Sequence, residues 1–169
     1  MKKSVWGASS IIIDTREQKP YEFTGHPTVV TGLKTGDYSV TGMEHLVVVE
    51  RKSQADYWGC LGKSRARFVK ELERLSQIPY SLVVIEASLS MVREGYFYYT
   101  GTYEGARKSR IPGTTALNSA LFWMMAYPNV RFQFAGNRED GEWLTLNWLQ
   151  MALRYQRHRE KEAKNGSGR

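Results

Sequence analysis

Two carboxylates and an amine are spaced so that strand geometry can bring them together. Asp37 sits between Gly36 and Tyr38, and Glu50, Arg51 and Lys52 close the apolar run Val47-Val48-Val49. Tyr38–Thr41 and Leu46–Glu50 are rich in β-branched and aromatic residues, with Thr41-Gly42-Met43-Glu44 as a turn between them. A hairpin closed about Met43-Glu44 sets Asp37 across from Glu50, on one face, with Cβ atoms roughly 5 Å apart. Side chains alternate along a strand, so Lys52 joins them on that face. Opposed like charges destabilise a strand pair, and a cation between them removes the penalty. Mg²⁺ suits such a pair, because it takes one or two carboxylates and completes its octahedron with water and phosphate oxygen. A metal held there polarises a phosphoryl oxygen and lowers the pKa of a bound water. A lysine alongside orients that water or offsets charge developing on the phosphate. An isolated Glu-x-Lys more often belongs to a solvated hairpin face, so its neighbours decide the matter.

Those neighbours form three blocks in order: Asp14-Thr15-Arg16-Glu17, Gly36-Asp37-Tyr38, and Glu50-Arg51-Lys52 with Asp56 four residues on. Together they resemble the signature of the XPF-type nuclease domain, D-x-R-E, G-D-Y and E-R-K-x-x-x-D. The resemblance is dense over 11–75 and thinner afterwards. It implies a restriction-endonuclease-like α/β fold, a central mixed β-sheet flanked by helices, with a PD-(D/E)-x-K site. The implied activity is divalent-metal-dependent endonucleolytic hydrolysis of DNA, at branches or single-strand/double-strand junctions. Carried over residue by residue, Asp37 and Glu50 match the metal ligands, Lys52 the catalytic lysine and Asp14 a further acidic residue near the metal. Arg16, Glu17, Arg51 and Asp56 match supporting positions. Mg²⁺ is the implied cofactor, with Mn²⁺ substituting. The family also includes nuclease-like domains without activity, so a non-catalytic DNA-binding subunit is the alternative reading. No helix-hairpin-helix module is legible, and targeting is expected from a partner protein, a homodimer or the aromatic-basic stretch 95–110.

The composition fits these expectations. A chain of 169 residues can bury a core, and 41% hydrophobic residues is ordinary for a globular protein. No apolar run approaches the roughly 18 residues of a membrane span, and the first residues lack the apolar stretch of a secretory signal. The single cysteine, Cys60, excludes an internal disulfide and reads as a packing residue of an intracellular protein. A net charge of +7 favours polyanionic partners. G-x-x-x-x-G-K-[ST] is absent, which leaves no P-loop.

The elements that must position the site follow from periodicity. Ile11-Ile12-Ile13 reads as a buried strand delivering Asp14, and Val29, Val30 and Leu33 as a short strand before Gly36. A helical region starting at Ser53–Asp56 is weakened by Gly59 and Gly62. From Ser64, the expected N-cap, Phe68, Leu72 and Leu75 fall at i, i+4, i+7, and Arg67 can pair with Glu71. Lys63, Arg65 and Arg67 cluster at this helix start as candidate phosphate contacts. Tyr80–Ala87 is a buried strand, with Glu86 at its end expected on the surface.

Gly95–Arg110 alternates aromatics and glycines and ends in Lys108 and Arg110, also candidate phosphate contacts. Two readings stay open there, base stacking and phosphate holding or a hairpin whose rings cover the core. A nearly all-apolar helix runs from Thr114 or Thr115, as its cap, to about Tyr127. Val130–Phe134 is a final strand and Trp143–Tyr155 a last helix. Residues 1–155 are expected as one nuclease domain and 156–169 as a basic, flexible tail.

Overall fold

The computed structural model describes residues 5–99 and 106–166. Six strands form one mixed sheet: β1 (Ile11–Ile13), β2 (Thr28–Val30), β3 (Tyr38–Val40), β4 (Val47–Ser53), β5 (Tyr80–Glu86) and β8 (Val130–Phe134), in the order β2-β1-β3-β4-β5-β8. A separate pair, β6 (Phe97–Tyr99) and β7 (Ala106–Lys108), is antiparallel. The helices are α1 (Gln54–Leu61), α2 (Arg65–Leu75), α3 (Leu89–Glu94), α4 (Gly113–Ala126) and α5 (Arg138–Gly166). β4, β5 and β8 run parallel, while β3 is antiparallel to both β1 and β4. Strands covered on both faces read as unbroken apolar runs, and the buried core of β5, Leu82-Val83-Val84-Ile85, is one.

β4 divides the core. Val48 packs with Phe68, Leu72 and Leu75 of α2 and Trp123 of α4 on one face. Val47 and Val49 pack on the other with Tyr21, Tyr38 and the α5 residues Leu149, Ala152 and Leu153. The helix-period residues Phe68, Leu72 and Leu75 are all buried, as their spacing predicts. Each such side chain contributes about 1.5–3 kcal/mol of burial. Gly36 joins the β2–β3 connection to Asp37 with φ +76°, and a Cβ there would stand 2.2 Å from Val48 Cγ2. Only glycine fits both the left-handed backbone and the contact.

Several local expectations change. Leu33 lies outside β2, and β4 begins at Val47, so the hairpin connection is 41–46. Ser64 is the N-cap of α2 but makes no side-chain capping bond, and Pro112 caps α4 in place of Thr114 or Thr115. Proline's fixed φ suits the extended cap position, and its ring blocks continuation of the helix toward Ile111. The Ser53 hydroxyl accepts from the Asp56 amide and so caps α1. Arg67 does not pair with Glu71, which binds Arg74 and Thr35 instead. Helix α5 continues through 156–166, where the composition reads as a flexible tail. Gln156–Glu160 and His158–Glu162 contacts at i,i+4 support that extension. Part of the aromatic-basic stretch, 100–105, lies outside the described residues. Among the described residues no helix is long and apolar enough to cross a membrane.

Candidate active site

Tyr38 pairs with Val49, the register that closure about Met43-Glu44 requires, and Asp37, just before β3, lies close enough to Glu50 for their charges to interact. The Asp37 amide donates to the Val49 carbonyl at 2.8 Å, and the Arg51 amide donates to Asp37 Oδ2 at 2.7 Å. Glu50 is 6% exposed and ion-paired through Oε1 with Lys52 Nζ. Lys52 Nζ also stands 5.4 Å from the Phe68 ring centroid, which fixes the amine between α2 and the sheet. Asp37 Oδ1 and Glu50 Oε2 accept no hydrogen bond from the described residues.

Burial and the neighbouring Glu50 charge push the Asp37 carboxyl up to about 8. Burial also raises Glu50, against the opposing pull of Lys52. Burial alone would lower Lys52, but the Glu50 charge outweighs it and holds the amine firmly protonated. Two carboxylates that resist ionising together, each with an uncommitted oxygen, are a donor set suited to a divalent cation.

Asp14 is not brought into this set. Its amide donates to the Asp37 carbonyl, which ties the strands but turns the side chain toward the 31–35 loop. There Oδ1 accepts from Arg16 Nε at 2.6 Å and from the Arg16 amide, and Oδ2 accepts from the Leu33 amide at 2.5 Å. These bonds overcome burial and lower its pKa. Among the described residues no group of three or more His, Cys, Asp or Glu side chains is placed to hold a metal. The candidate ligands are therefore Asp37 and Glu50, and Asp14 is a clasp for the loop that leads into Asp37.

The other signature residues divide by face. Arg51 points to the opposite side of the sheet from Glu50, with Nε 3.1 Å from Glu17 Oε2 and Nη1 3.0 Å from Glu86 Oε2. Glu86 is thus half-buried within an ion-pair network and not a free surface residue, and Arg138 of α5 closes it at 3.3 Å. Asp56 lies exposed at the start of α1, where it accepts from the Ser53 hydroxyl at 2.6 Å. It sets the helix that follows Lys52.

Sequence reasoning misses Glu71. It accepts from the Thr35 hydroxyl and, at 3.4 Å, from the Gly36 amide, and it pairs with Arg74. It therefore ties α2 to the residue before Asp37. Its position three residues after Phe68 and one before Leu72, at the edge of the apolar stripe, is the only signal the sequence carries.

The basic clusters partly converge. Lys63, Arg67, Lys108 and Arg110 are exposed. Ile111 Cδ1 approaches Gly62, and Trp58 Nε1 donates to the Ile111 carbonyl, so Arg110 and Lys63 flank one contact between distant segments. Arg65, exposed as well, lays its guanidinium 5.1 Å from the Trp123 ring centroid. Lys108 Nζ stands 5.3 Å from that of Phe97, while Tyr96 packs on Trp58 at the core.

Known proteins give this arrangement a context. The solved structure of XPF from Aeropyrum pernix matches with a TM-score of 0.61 at 15% sequence identity, over 84% of this chain and 60% of that one. The likeness shows the restriction-endonuclease-like α/β fold, and the chain spans 60% of that protein's length. No curated protein matches the sequence. The ERCC4 domain model matches residues 13–146, a span from the end of β1 into α5 that takes in Asp37, Glu50 and Lys52. The chain belongs to the ERCC4 domain family, a family of nuclease domains.

Proposed function

We propose that this protein is a Mg²⁺-dependent DNA endonuclease that hydrolyses phosphodiester bonds at the Asp37–Glu50–Lys52 site. The observation that carries the reading is the opposed, mutually repelling Asp37–Glu50 pair with Lys52 fixed beside it. Asp37 Oδ1 and Glu50 Oε2 would hold the ion, with water and substrate phosphate completing its shell. When bound, it would polarise the phosphoryl oxygen and acidify a water.

The Glu50 charge favours the protonated form of Lys52, which suits it to orient the attacking water or to offset negative charge gathering on the phosphate. Glu50 orients that ammonium through their ion pair. Lys63, Arg67 and Arg110 would steer the DNA backbone toward the face that carries the site. Junction-shaped DNA is the proposed substrate, and a partner subunit or homodimer the proposed source of targeting. Both follow from the family, and Mn²⁺ is expected to substitute for Mg²⁺.

The test is cleavage of duplex, single-stranded, flap and fork DNA with Mg²⁺ or Mn²⁺, beside an Asp37→Asn control. Metal-dependent cutting that the control lacks supports the reading. Binding of these DNAs without metal-dependent cutting would make the chain a non-catalytic DNA-binding subunit.

A further inference from the structure

The face that carries Asp37 and Glu50 does not end there. Side chains alternate along a strand, so Ser39, two residues after Asp37, and Val48, two before Glu50, continue the same face about 7 Å further along. Ser39 and Val48 form the floor of a cavity of about 650 Å³. Its walls come from the 32–35 loop, from the hairpin connection and from the C-terminal end of α2. Thr35 belongs to that wall and also donates to Glu71, which accepts the amide of Gly36 beside Asp37. Cavity and site are therefore neighbours on one surface, joined through a single hydrogen-bonded link.

We propose that this cavity takes one unpaired nucleotide of the substrate strand, next to the phosphate held at Asp37 and Glu50. The inference rests on the nucleic-acid reading above and names the part of the substrate that the site selects. Two residues of strand span about the step of one nucleotide along an extended backbone. The volume accommodates a nucleotide and is too small for a base-paired duplex. Leu33 and Ile78 offer apolar surface to the flat face of a base, and His45 offers a ring for stacking. Gln77 supplies an amide donor and acceptor, and Glu44 an acceptor, for a base edge. Lys34 and Arg74 place cationic groups along the walls, suited to the attached phosphate. A free base can enter only where the strand is unpaired, so such a subsite would favour cleavage beside single-stranded DNA.

The probe is a fork DNA carrying 2-aminopurine at one position at a time along its unpaired strand. The full chain is titrated into it without divalent metal and read by fluorescence. Native protein should change the signal strongly at one position. The double variant His45→Ala/Gln77→Ala should abolish that change and bind about tenfold more weakly, the loss of one stacked base. Both residues are exposed, so melting should be unaltered.

In a cleavage arm, an abasic residue at that position should slow the native protein about tenfold. The double variant should cut abasic and intact forks alike. A positional signal unchanged by the double variant, or equal slowing of both forks by it, overturns the subsite. The signal without metal-dependent cutting of any DNA supports the subsite and sinks the nuclease reading. Failure to bind any fork sinks both.

Discussion

Asn in place of Asp37 keeps the shape and removes the charge, which makes it the sharpest single change at the site. Asp37→Asn and Glu50→Gln should each cut cleavage by more than about 1,000-fold, and Lys52→Ala by roughly 100- to 1,000-fold. Circular dichroism should show all three folded. Rates near native in any one of them would remove that residue from the chemistry. The same carboxylate sets a pH dependence. Its folded pKa, about 8, lies above that of an exposed aspartate, so the protonated form favours the fold. That stability is present below about pH 4 and is lost as pH rises through about 8. Without metal, native protein should therefore fall behind Asp37→Asn in melting temperature between about pH 5 and pH 9. Mg²⁺ should close the gap by stabilising only the native protein, by about 2.7 kcal/mol at 100 times its dissociation constant. Equal metal shifts in both proteins would dissolve the site. Asp37, Glu50 and Lys52 stand out in the sequence because a strand has period two and because the three signature blocks select one hairpin register among several. The clasp role of Asp14 does not, because its partners include the amide of Leu33, and no local rule places a loop against a carboxylate.

Elements were readable where an apolar pattern dictates them and unreadable where partners arrive from elsewhere. The α2 stripe and the β5 run follow from burial alone. The extension of α5 does not, since its polar composition resembles a solvated tail and its support is a series of i,i+4 contacts. Glu71 is hidden for a related reason, because a charged residue at the rim of an amphipathic helix reads as solvated until the 32–36 loop is set against it. That loop also depends on Gly36. Gly36→Ala must force a left-handed backbone and displace Val48, so it should cost roughly 2–4 kcal/mol in denaturant unfolding. It should reduce cleavage as well by shifting Asp37. A variant within about 0.5 kcal/mol of native would show that the loop yields without strain.

At the level of the molecule, the sheet brings basic groups from separate segments to the face that carries α1, α2 and α4. Lys63 and Arg110 flank the contact between Gly62 and Ile111, whereas Arg65 is occupied by Trp123. Neutralising Lys63 and Arg110 together should flatten the plot of log affinity against log salt by about 2, one for each lost phosphate contact. Arg65→Ala should leave that slope nearly unchanged and cost about 0.5–1 kcal/mol of stability. An unaltered slope in the double variant would put the DNA on another surface. The two sides of the molecule meet in β4, whose consecutive residues Glu50, Arg51 and Lys52 face alternately toward the site and toward the Glu17–Glu86 network. Removing one residue from Val47–Val49 would therefore do more than shorten a strand. It would exchange the two faces, placing the Arg51 guanidinium opposite Asp37 and the Glu50 carboxylate on the apolar face at the position where Val49 pairs with Tyr38. In a library of single-codon deletions, the upstream half of β4 should be the least forgiving stretch of the chain, even though no charged residue is deleted.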